Sequence, residues 1–275
     1  MEPPIRAATA EPQRARGAVW LAARRVGVSS RLGELRQEGS LKALFPRAHG
    51  AALDAVLLNT AGGLTGGDRM RIDTRVDEGA RLSLSTQAAE RAYRAAGEAP
   101  ARAETRLTVA AGGRVDWLPQ ETILFDGTRL ERRLTVELGE EATALLVEPL
   151  LFGRLARGEE VRGGMFADRW EVRRDGRLLF ADRLRIGGDM AGTLDRMAVA
   201  GGGRAMASVV LAGSGAEAHL AAVRGMLPRT GGASLIEDSL LLVRMLAPDG
   251  FTLRQALLPI IQRLAGGPLP RVWTL

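Results

Sequence analysis

The chain has 275 residues, 46% of them apolar and 25% charged, with a formal net charge of +6; that is enough to bury a sizeable core as one large domain or two small ones. It has no cysteine, which excludes disulfides and thiolate metal sites. No apolar run reaches bilayer-spanning length, and Lys42 is the only lysine among arginines interspersed with Asp and Glu. With aromatics at 4%, this argues against a basic stripe that stacks bases. Codon composition accounts for arginine in place of lysine, and interfaces with acidic protein partners are compatible with it, because Arg is enriched at interfaces.

Residues 1–25 are rich in Ala, Pro and Arg and lack the apolar stretch of a secretory signal. They read as a flexible leader ahead of a single domain over 26–275, and cytoplasmic residence is the default expectation. From Leu53 to Leu211 the pattern has period two: Met70, Ile72 and Val76 alternate with Arg69, Arg71, Asp73 and Arg75. Such alternation places apolar groups on one face of a strand. Asp175-Gly176 and Asp126-Gly127 each separate two such runs, which predicts hairpins. Val76-Asp-Glu-Gly79, Val109-Ala-Ala-Gly112 and Val136-Glu-Leu-Gly139 form a weak V-x-x-G repeat, each copy followed by a further alternating strand. Two readings fit it: stacked coils of a β-solenoid, or successive hairpins in a β-rich domain. Ser214 with Glu217 has the form of a capping box opening a helix whose face is Leu220, Val223 and Leu227, stopped by Pro228. Asp249 caps a second helix with Leu253, Ala256, Leu257, Ile260 and Leu264 on one face, which Pro259 should kink or divide. The fold expected is mostly β, β-helix-like stacked sheets with two late α-helices.

Candidate chemistry is sparse. The loop Asn59–Asp68 contains Gly62, Gly63, Gly66 and Gly67. It matches neither a P-loop nor G-x-G-x-x-G, and a strand follows it, so it reads as tight turns with close backbone approach. His49 and His219 are the only histidines and lack partners at metal-ligand spacing. Asp68, Glu121, Asp126 and Glu148 fall at strand ends or turns, and stacking would bring Glu121 near Glu148. Such carboxylates hold a divalent cation weakly, line a polar channel, or are solvated turn charges. No G-x-S-x-G or H-E-x-x-H signature is present.

Five ordered blocks carry a family resemblance. Gly62-Gly-Leu-Thr-Gly-Gly-Asp68 resembles the glycine-rich signature of UreD (UreH) urease accessory proteins. Ser85–Arg94, Leu118–Phe125 with Leu130-Glu-Arg, Glu148–Gly153 with Gly158-Glu159, and Leu269–Trp273 resemble its later blocks. Asn59, Thr60 and Ala61 stand where some members carry histidine and proline, and Glu90 replaces a small or hydroxyl residue.

The resemblance implies a β-helix-like, non-catalytic scaffold for urease maturation. Its implied partners are UreF, the GTPase UreG and apo-urease, and its implied cargo is transient nickel(II), with no permanent cofactor, nucleic acid or membrane. Asp68, Glu121, Asp126 and Glu148 become candidates for a nickel path. The competing readings are a β-helical carbohydrate-active enzyme using paired carboxylates, and a purely structural interaction module.

Overall fold

The computed structural model describes residues 13–47 and 50–274; His49 and residues 1–12 of the expected leader lie outside the described residues. The strands are β1 (Arg16–Val26), β2 (Ser29–Gly39), β3 (Leu41–Leu44), β4 (Leu53–Asn59), β5 (Arg69–Val76), β6 (Arg81–Thr86), β7 (Glu90–Ala92), β8 (Ala101–Val109), β9 (Arg114–Leu118), β10 (Thr122–Leu124), β11 (Thr128–Leu138), β12 (Thr143–Phe152), β13 (Gly164–Arg174), β14 (Arg177–Gly187), β15 (Ala205–Ala212), β16 (Gly231–Ile236) and β17 (Leu240–Ala247). The helices are α1 (Met190–Asp195), α2 (Glu217–Met226) and α3 (Gly250–Leu264).

From β4 to β12 the chain crosses repeatedly between two sheets. In the first sheet, β5, β8, β11 and β13 run parallel in register. In the second, β4, β6, β9 and β12 do the same. This is the solenoid reading of the repeat. The first two V-x-x-G segments are its stacked corners: Val76 and Val109 are buried register partners, the Gly79 N–H donates to the Ala111 carbonyl, and the Gly112 N–H donates to that of Glu140. In the third corner Leu138 takes the register of Val109 and Glu141 the left-handed turn, so Val136 and Gly139 fall two residues early. Each corner thus satisfies a backbone donor of its neighbour, as buried polar groups require. Antiparallel strands finish both sheets, in the order β14-β13-β11-β8-β5-β1-β2 and β16-β17-β15-β12-β9-β6-β4-β3.

Three expectations are corrected. Arg16–Val26 is not leader but a strand inside the first sheet, parallel to β5; Val19, Leu21 and Ala23 point into the core and outweigh its Arg- and Ala-rich composition. Asp175-Gly176 does make the β13–β14 hairpin, with both residues left-handed, but Asp126-Gly127 does not make one. Its flanking strands join different sheets, β10 beside β12 and β7, and β11 beside β8 and β13. The Ser214 capping box is also absent: α2 starts from Ala216 with no side-chain cap, and the Ser214 hydroxyl bonds Glu141 instead.

One core lies between the sheets; a second lies between the outer face of the second sheet and α2, α3 and the C-terminal segment. Asp249 does cap α3, accepting from the Thr252 N–H at 2.8 Å. Pro259 falls on the exposed side of α3, and the helix runs through it undivided. Asp249→Ala is expected to cost about 1 kcal/mol in urea unfolding, and Ser214→Ala less than about 0.5 kcal/mol; the reverse order would contradict the assigned helix start.

Candidate functional site

A cavity of about 290 Å³ opens between the two sheets. Leu57, Met70, Ile72, Leu130, Leu134 and Trp117 give it apolar walls, while Asn59, Glu90, Arg132, Glu148 and Asp168 supply polar groups. Within it, Arg132 on β11 bridges two carboxylates, Nη1 donating to Glu148 on β12 at 2.5 Å and Nη2 to Asp168 on β13 at 2.6 Å. Each acid also takes an indole N–H, Glu148 from Trp117 at 2.8 Å and Asp168 from Trp170 at 3.2 Å. The Phe166 ring lies 5.1 Å from the guanidinium carbon. The three charged side chains are 11–12% exposed.

Low dielectric makes these charges strongly interdependent. Burial pushes the Glu148 carboxyl up, against the attraction of Arg132. Burial also works against the Arg132 guanidinium, but Asp168 and Glu148 outweigh it and hold the group above its ordinary value. At the cavity wall Glu90 is likewise raised by burial, partly offset by the Asn59 amide, which donates to both its oxygens at 3.2 and 3.3 Å. Asn59 and Glu90, both singled out in the sequence, therefore meet in one contact.

Among the four carboxylates singled out from sequence, only Glu148 lines this cavity. Glu121 does not approach it. The Glu121 side lies with Pro149, Leu151, Arg254 and Trp273 beneath α3, on the opposite face of the second sheet. Stacking aligns their backbones, but period two sends adjacent register positions to opposite faces. Asp68 is 3% exposed and accepts from the Thr65 and Ala15 N–H groups at 2.8 Å each, closing the glycine-rich loop and anchoring the lead into β1. Asp126 accepts from the Arg162 and Gly163 N–H groups, both at 2.9 Å, and pairs with Arg94. Burial opposes its charge, yet these donors together hold its carboxyl below the usual range. Both are loop latches. Among the described residues, no three His, Asp or Glu side chains gather at metal-holding spacing, and His219 on α2 has no partner at Nδ1.

The glycine-rich loop contributes Gly62 and Gly63 to the cavity wall. A Cβ on Gly63 would sit 2.4 Å from the Tyr93 ring and 2.6 Å from the Arg91 carbonyl, and Gly66 would meet the Ala99 carbonyl at 2.5 Å. Gly62 has open space around it and is left-handed. Gly62→Ala is expected to cost about 1–2 kcal/mol through backbone conformation alone, and Gly63→Ala more, since it adds a collision; equal melting temperatures for the two variants would contradict the close approach. Tyr93 stacks edge-on to Phe125 at 4.9 Å and its hydroxyl donates to the Gly62 carbonyl at 3.3 Å. Arg154 lies over Phe125 and pairs with Glu159 at 2.6 Å. Segments far apart in sequence thus meet at one corner of the solenoid.

Sequence reasoning missed Arg132 and Asp168. The available signal was a charge in an inward register: Leu130-x-Arg132-x-Leu134 and Phe166-x-Asp168-x-Trp170 each place one between buried apolar residues.

Comparison with known proteins finds relatives along nearly the whole chain. The family described as UreD urease accessory protein matches residues 15–274. The urease accessory protein UreD of Ruegeria pomeroyi is 50% identical over 250 residues, covering 91% of this chain and 97% of the relative. Its counterpart in Rhizobium rhizogenes is 48% identical over 273 residues, covering 98% and 99%. Urease accessory protein UreD 1 of Brucella melitensis is 48% identical over 250 residues, covering 90% and 89%. On a match of this extent, the chain belongs to the UreD family of urease accessory proteins.

Proposed function

We propose that the protein is a urease maturation factor, a non-catalytic scaffold in the cytoplasm that joins UreF and UreG on apo-urease and helps deliver nickel to the urease active site. Family membership over nearly the full length carries this reading. The cavity between the sheets supplies a route for the cargo, with Glu148 and Asp168 as its oxygen donors and no resident cofactor. Oxygen ligands suit a hand-off, because nickel prefers nitrogen donors such as imidazole and is released readily from carboxylates. Carbohydrate hydrolysis by the pair Glu121 and Glu148 loses its geometry, since these side chains belong to opposite faces of the second sheet.

Co-purification of this chain with UreF, UreG and apo-urease from the same source tests the scaffold role; the expected result is one complex, and its absence overturns the role. For the route, Glu148→Gln is expected to slow nickel-dependent activation within an intact complex while Glu121→Gln leaves it unchanged. Unchanged activation with Glu148→Gln sinks the cavity route and leaves the scaffold standing.

A further inference from the structure

The outer face of the first sheet is left uncovered, because α2 and α3 pack against strands of the second sheet. On β11, β13 and β14 this face gathers arginines. Arg133 is the register partner of Arg169, and Arg169 of Arg183, so three like charges sit side by side on adjacent strands. Like charges directly opposite one another weaken strand pairing, and such a local conflict, without compensation inside the fold, marks a functional position. The compensation present is small. Glu171 answers Arg133, Arg169 and Arg173, the last shared with Glu137, while Arg183 and Arg185 are exposed and have no ion pair among the described residues. Arg133, Arg169, Arg183 and Arg185 border a surface basin of about 450 Å³, whose other rim carries Arg102, Glu104 and Glu131.

We propose that this basin is a docking surface for an acidic helix of a protein partner. Adjacent strands set the arginine row at about 4.8 Å, close to the roughly 5–6 Å between glutamates at i and i+4 on one helix face. Charge complementarity of this kind steers association and fixes register. Nucleic acid fits less well. Glu104 and Glu131 would face its phosphates, and the nearby rings of Phe166 and Trp170 are buried on the inward side, leaving nothing for bases to stack on. The inference stands on the sheet's own charge pattern, independent of nickel delivery.

The test is fluorescence anisotropy of the full chain with a labelled alanine-based helical peptide bearing glutamates four residues apart. A single-stranded oligonucleotide of equal charge serves as competitor. The expected result is salt-sensitive binding, weakened about tenfold or more by Arg169→Glu with Arg183→Glu, and weakened less by the Gln pair at the same positions. The control is Arg24→Glu with Arg31→Glu, another exposed arginine register pair at the far end of the same sheet, which should change binding less than about twofold. No binding by the wild type, or equal losses in the two Glu pairs, overturns the proposal. So does tighter binding of the oligonucleotide that is lost with Arg169 and Arg183.

Discussion

Arg132→Met is expected to lower the unfolding free energy by about 3–5 kcal/mol at pH 7.5, because it leaves Glu148 and Asp168 buried with no counter-ion. Their indole donors remain, but two hydrogen bonds do not replace a shared guanidinium. The loss should depend on pH with a definite sign. A carboxyl whose folded pKa lies above its unfolded value costs stability when ionised, and the cost fades as pH falls through the folded pKa. Burial already raises Glu148 with Arg132 in place, and removing the cation raises it further. The deficit of the variant should therefore be largest at neutral to alkaline pH and shrink as the pH is lowered toward 5. Adding Glu148→Gln and Asp168→Asn should recover most of the loss, since a cluster removed whole costs far less than one left half paired. Urea denaturation at pH 8 and pH 5.5 measures this, and a pH-independent loss below about 1 kcal/mol would show that the cluster is solvated.

Trp273→Ala is expected to cost about 3–5 kcal/mol. The residue is 1% exposed, two positions before the last residue of the sequence. Its Nε1 donates to the Leu118 carbonyl at 2.9 Å, and Arg254 of α3 lies 4.9 Å above its ring while donating to the Trp273 and Val272 carbonyls. The substitution empties a large volume of the second core and strands a buried carbonyl. Phe251 on the same helix is 73% exposed, so Phe251→Ala should stay within about 0.5 kcal/mol. Similar midpoints for the two variants in thermal unfolding would contradict the docking of the C-terminal segment.

The stacked sheets were legible in the sequence because a solenoid repeats its corners, and a repeated corner leaves a repeated left-handed turn, here at Gly79 and Gly112, with Glu141 in that place in the third corner. Less legible was where each strand goes after a turn. At Asp175-Gly176 both residues are left-handed and the chain returns to the same sheet, whereas at Asp126-Gly127 only the glycine is left-handed and the chain passes to the other sheet. Strand β1 hid behind its arginines and alanines, although Val19, Leu21 and Ala23 keep period two. Among the candidate site residues, Glu148 was found because it ends a repeat. Asp68 and Asp126 stand out as strand-end or turn carboxylates and prove to be latches, since a turn needs acceptors for its N–H groups as much as a site needs ligands. Arg132 and Asp168 come from the opposite sheet and meet Glu148 only through the fold.

The most direct measurement is nickel-dependent activation of apo-urease by UreF and UreG, with GTP, in the presence and absence of this chain. The proposed role predicts activity that requires the chain and rises with its concentration until apo-urease is saturated. Full activation without it would contradict the role.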